Sequence, residues 1–97
     1  MGTPEEITVT YEESGQILVR ELDKVILSRG AWTTILFRYQ ELIPETGEYG
    51  PEKYSIRRYK KSGGEYRQQS KFNISSAKQA QEIVNALSGW LSEQVQQ

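Results

Sequence analysis

The chain contains no cysteine and no histidine. Without thiols it can build neither a disulfide framework nor a thiolate metal site. Without imidazole it lacks the commonest general base and the usual nitrogen ligand, so nucleophile triads and zinc hydrolase sites are excluded. No apolar run approaches the roughly 18 residues of a membrane-spanning helix. The opening "MGTPEEITV" is acidic and has no apolar leader stretch, and Glu6 stands where a myristoylation signal needs serine or threonine. These absences predict a soluble cytoplasmic protein.

At 97 residues the chain has the length of one domain, 1–97, and too little for two lobes around a cleft. Its hydrophobic fraction of 36% is low, yet two tryptophans, six tyrosines and two phenylalanines sit among strand-like segments. A disordered acidic chain would lack them, and a small, oligomeric, β-rich domain fits.

The net charge of −1 hides a division. Residues 53 to 71 carry Lys53, Arg57, Arg58, Lys60, Lys61, Arg67 and Lys71 against Glu65 alone, whereas the preceding half is acidic. An asymmetry of this kind suits a face that meets a polyanion.

Periodicity places the elements. Ile7, Val9 and Tyr11 alternate with Thr8, Thr10 and Glu12, which predicts a first half-buried strand over 7–12. "EESGQ" is a turn, "ILVREL" a second strand, and "KVILS" its continuation past a bend. "AWTTILFRYQEL" is apolar on both faces and needs cover on each, while "IPETGEYGPE" predicts a long solvent-facing loop. "KYSIRRYKK" and "EYRQQSKFNI" form a hairpin around "SGG". The latter lacks the pattern of a phosphate-cradling loop.

From 75 to 92 the pattern is helical. Ala80, Ile83, Val84, Leu87 and Leu91 form one apolar stripe, and Ser76 with Gln79 reads as a capping box. Residues 93–97 are expected to fray. The predicted fold is thus α+β: a twisted antiparallel sheet of four to five strands over 7–74, closed by one C-terminal amphipathic helix. Since one helix cannot cover both faces of a sheet, a homodimer is expected, with Ile83, Leu87, Trp90 and Leu91 at its interface.

Strict alternation along the hairpin puts Arg57, Lys61, Arg67, Gln69 and Lys71 around Tyr59 on one surface. Like charges facing each other across a sheet cost stability unless an anion compensates them. Arginine and lysine neutralise phosphates without reading sequence, and a tyrosine offers a ring on which any base stacks. Arg58 and Lys60 are further phosphate candidates, and Tyr39 beside Arg38 is a further stacking candidate. Trp32 and Phe37 are assigned to the core. The opposing reading is that these cations only solubilise an exposed sheet and block edge pairing.

The residues "IRRY", the glycine turn, "GEYRQQSKFNIS" and "AKQAQEIVNALSGWL" resemble the C-terminal domain of positive cofactor four, a family of single-stranded-DNA-binding transcriptional coactivators. Ile56, Arg57 and Tyr59 match the first strand motif, Gly64 and Glu65 the turn, and Lys71 the basic strand. Arg58 and Lys60 stand where the family has an acidic and an aromatic residue. The resemblance spans roughly residues 23 to 91. It implies a homodimer that binds single-stranded DNA, or RNA, through phosphates and stacked bases with little sequence preference. Transcription or replication proteins are its expected further partners, and nucleoid association its setting. No cofactor or metal is implied. No motif places a pair of catalytic carboxylates, so the chain is read as a non-enzyme. The alternative is a protein-interaction module of the same fold without nucleic-acid binding.

Overall fold

Tight turns set the framework. Gly63 and Gly64 take φ of 60° and 82°, the left-handed pair that a two-residue hairpin loop requires and that glycine adopts without steric cost. They join Ser62 directly to its cross-strand partner Glu65. Ser14 and Gly15 make an equivalent turn between Glu13 and Gln16.

The computed structural model describes residues 2–95. A short 3-10 turn, Pro4–Glu6, leads into β1 (Tyr11–Glu13), β2 (Gln16–Ser28), β3 (Trp32–Ile43), β4 (Glu48–Tyr49), β5 (Lys53–Ser62), β6 (Glu65–Ile74) and α1 (Ala77–Val95). All pairings are antiparallel, and the sheet order is β1-β2-β3-β5-β6, with β4 folded back on β3. The chain is therefore an α+β fold, a curled antiparallel sheet followed by one helix.

On β3 the buried residues alternate strictly: Thr33, Ile35, Phe37 and Tyr39 lie inside. What covers them is the N-terminal segment. Ile7 and Val9 join Ile35, Phe37, Tyr39 and Tyr59 in a single core cluster, with Val19, Ile26 and Tyr66 packed at its margin. The alternation of Ile7 and Val9 is real, but residues 7–10 pair with no strand. They run across this face as a strap, and regular pairing begins only at Tyr11. Polar contacts tie the strap down. Lys24 Nζ donates to the carbonyls of Glu5 (2.6 Å) and Ile7, Thr8 donates to Glu21 (2.6 Å), and Arg29 pairs with Glu5 at 2.5 Å.

Two features depart from strict strand reading. The bend expected before "KVILS" is a register shift between Glu21 and Asp23, and β2 continues through it. The expected long loop is short and organised: Glu48 and Tyr49 pair with Ile43 and Leu42. Tyr49 then docks on β2, donating its hydroxyl hydrogen bond to the Ile17 carbonyl (2.7 Å) under the Arg20 guanidinium.

The helix starts as its cap predicts. Ser76 Oγ accepts from the Gln79 N–H at 3.0 Å, and Gln79 Oε1 accepts from the Ser75 N–H at 2.6 Å. It runs on through Glu93, Gln94 and Val95, while residues 96 and 97 of the expected frayed tail lie outside the described residues. Its backbone comes nearest the sheet at β6, and apart from Gln79, Ala80 and Ile83 its described side chains are exposed. Between helix and sheet is an apolar groove of about 320 Å³, bounded by Leu36, Tyr54, Ile56, Ile74, Ile83 and Leu87. No helix among the described residues is long and apolar enough to cross a membrane.

Candidate nucleic-acid interface

The basic hairpin is β5 and β6, and its register decides which cations share a face. Arg57 stands opposite Lys71 and Arg58 opposite Ser70, but Tyr59 faces Gln68. Gln69 is thus the extra residue of a β-bulge, and an extra residue reverses every side chain beyond it. Lys71, Gln68 and Tyr66 lie on the face of Arg57 and Tyr59, and Arg67 is carried to the opposite face beside Lys60. The expectation that Arg67, Gln69 and Lys71 share one surface is corrected by this bulge.

The first face, on the strap side, carries Lys53, Arg57, Lys61 and Lys71. Arg57 is half-buried and held in place: its Nε donates to Ser55 Oγ at 3.2 Å and its Nη1 to Gln68 Oε1 at 3.3 Å. Ser55, itself fully buried, donates to Asn73 Oδ1 at 2.7 Å, which aligns the hydroxyl to accept from Arg57. Among the described residues neither Arg57 nor Lys71 pairs with a carboxylate, whereas Lys53 is bound to Glu41 at 2.6 Å. That contact raises the Lys53 pKa above its ordinary value. Lys61 Nζ donates to the Gly2 carbonyl near the N-terminus at 3.2 Å and pairs with no carboxylate among the described residues.

The two tyrosines proposed for stacking are not on offer. Tyr59 is 6% and Tyr39 5% exposed, because the strap residues Ile7 and Val9 close over them. Burial is also the main reason the Tyr59 phenol is pushed above its ordinary pKa of 10. A base cannot reach either ring while the strap is in place.

The second face differs. Toward the hairpin tip it sets Arg58 and Lys60 beside Trp32, a residue 41% exposed, with Arg67 one strand beyond Lys60. The Arg58 guanidinium lies 4.5 Å and the Lys60 ammonium 5.3 Å from the ring centroid. Trp32 is therefore not the core residue that its composition suggests, whereas Phe37 is fully buried as expected. Arg67 makes an exposed contact with Glu65 at 3.6 Å. Arg38, also on this face, is shared between Glu52 (3.2 Å) and Asp23 (3.9 Å) and has no charge to spare for phosphate.

Beyond the cations this second face turns apolar. Val25, Leu27 and Phe72 are exposed on the strands. On the helix Val84, Leu87, Trp90 and Leu91 are exposed too, while Ile83 is half-buried in the groove. The acidic turn after β3 lies at the far end of the sheet, where Glu41 and Glu52 hold Lys53 and Arg38. It does not fold over the Arg57–Lys71 pair. Among the described residues no group of three or more acidic side chains is placed to hold a metal ion.

Comparison with protein-family models, curated proteins and solved structures returns no match for this chain.

Proposed function

We propose that this chain is a homodimeric single-stranded nucleic-acid-binding protein, with single-stranded DNA as its ligand class. In this reading it acts in the manner of the positive cofactor four coactivators that its basic hairpin resembles. The observation that carries the reading is the Arg57–Lys71 pair. Two cations occupy one cross-strand position with no carboxylate between them, an arrangement that costs stability until an anion arrives. Arg57 is preset by Ser55 and Gln68, so its planar donor fork is oriented before a phosphate binds. Lys61 extends the positive stripe toward the hairpin tip. Contacts of this kind bind backbone and confer little sequence preference.

A second reading, a protein-docking module without nucleic-acid binding, is favoured by the exposed side chains of Val84, Leu87, Trp90 and Leu91. In the first reading those side chains meet a second copy of the chain.

Fluorescence anisotropy of a labelled thymine oligonucleotide of about 20 nucleotides, at low and moderate salt with duplex as competitor, separates the two. Salt-sensitive binding that duplex fails to displace supports the strand-binding reading. Absence of binding at low salt overturns it in favour of protein docking.

A further inference from the structure

We infer that Trp32, with Arg58 and Lys60 against its ring, is a second strand-contact site, on the face of the sheet opposite Arg57 and Lys71, that takes one unstacked nucleobase and its flanking phosphates. The inference rests on the strand-binding reading and extends it to a site and a residue that reading does not use.

The register builds this site. Trp32, Lys60 and Arg67 are successive cross-strand partners on β3, β5 and β6, one row about 10 Å long at about 4.8 Å per strand. The row begins with an aromatic ring and ends at an edge of the sheet, since among the described residues β6 has no outer neighbour. Arg58, one pleat along β5, closes over the ring from the side.

Three observations point to a nucleotide. A tryptophan that is 41% exposed beside two basic side chains, Arg58 and Lys60, is not serving as core. The ring quadrupole holds Arg58 and Lys60 near its face, so a base stacked on the exposed part of the ring finds cations within reach of its phosphates. The apolar groove, in contrast, is bounded by Leu36, Tyr54, Ile56 and the helix and does not include Trp32. A surface this charged is a poor candidate for burial against a second copy of the chain, because desolvating Arg58 and Lys60, which pair with no carboxylate among the described residues, is costly. The site also supplies what the first face lacks, since its tyrosines are closed off by the strap. A strand held at Lys71 can pass round the β6 edge to Arg67 and end with a base on Trp32.

The experiment uses the full chain and the Trp32→Phe variant with a thymine oligonucleotide, following intrinsic tryptophan emission and, in parallel, the anisotropy of a labelled copy. Binding is expected to quench the emission of the wild-type chain along the anisotropy isotherm. In Trp32→Phe the quenching should disappear while the smaller ring retains part of the affinity. Trp32→Ala should weaken binding by about 5- to 150-fold, as loss of one base–aromatic stack does. If the wild-type chain binds by anisotropy without quenching, or Trp32→Phe is quenched equally, the site falls and the strand-binding reading stands. If nothing binds at low salt, both fall.

Discussion

Arg57 and Lys71 face each other across β5 and β6, and the half-buried guanidinium is fixed by neutral partners, Ser55 and Gln68, with no carboxylate in the arrangement. Stability and binding therefore pull in opposite directions at position 71. Lys71→Glu should raise stability by about 0.2–1 kcal/mol, because opposite charges replace like ones in a cross-strand pair. The same change should abolish oligonucleotide binding. Denaturant titration alongside anisotropy reads both, and a variant that loses stability and keeps binding would refute the assignment.

The double variant Arg57→Ala with Lys71→Ala isolates the phosphate contribution. If each side chain neutralises one phosphate, the slope of log affinity against log salt should shrink by about 1.4, at about 0.7 per contact for a single strand. An unchanged slope would place the contacts elsewhere.

Much of this site was visible in the sequence, and the part that was not has a definite physical origin. The glycine pair at 63 and 64 and the Ser76–Gln79 cap are local signals, which fix a hairpin and a helix start wherever they occur. Arg57 and Lys71 fall on one face because alternation holds between them and their partners. The bulge at Gln69 has no such signature, yet it moves Arg67 through the sheet. Nor does alternation at Ile7 and Val9 distinguish a paired strand from a strap, since both bury every second residue. That one ambiguity buried Tyr59 and Tyr39. The position of Trp32 just after the Gly30–Ala31 turn, at the outer end of its strand, was a usable clue that aromatic content alone obscured.

The strap should be a principal determinant of stability. Ile7 is 6% exposed in the core cluster, so Ile7→Ala should cost about 2–5 kcal/mol. At about 4–8 °C per kcal/mol for a domain of this size, the melting midpoint should fall by at least several degrees. Loosening the strap also rehydrates Tyr59. Its raised pKa means that the folded state holds the phenol proton more tightly than the unfolded chain does. Stability from this group is complete below pH 10 and declines as pH climbs above it. Phenolate absorbance in the wild-type chain should show one tyrosine titrating late, and Ile7→Ala should bring it back toward 10.

Acid should release the strap before it unfolds the sheet. Glu5 is held below its ordinary pKa of 4.5 chiefly by the hydrogen bond with Arg29, and Glu6 by the backbone N–H groups of Thr3 and Gly2. A lowered carboxylate pKa contributes stability that is fully present above pH 4.5 and is lost as pH falls through the lowered value. Hydrogen exchange at the Glu6 and Ile7 amides, which bond back to Thr3 and Pro4, should accelerate relative to the β5–β6 amides as pH drops below 4.5, after correction for intrinsic rates. Glu5→Gln should flatten that dependence. Equal sensitivity of both regions would tie the strap to global unfolding.

Dimerisation is tested on the helix. Leu87 borders the groove and is 48% exposed, so in a lone chain Leu87→Lys would disturb little, because a lysine there can extend its stem over the apolar wall and keep its ammonium in water. In a dimer the same position is buried by the second copy, and a charge without a partner is expelled from an apolar interface. Sedimentation of the wild-type chain at micromolar concentration should therefore give twice the 11.2 kDa chain mass, and Leu87→Lys should give the single mass with the circular dichroism of the fold retained. A wild-type chain that sediments as a monomer across that range would overturn the dimer and leave Val84, Leu87, Trp90 and Leu91 as a surface for a different protein.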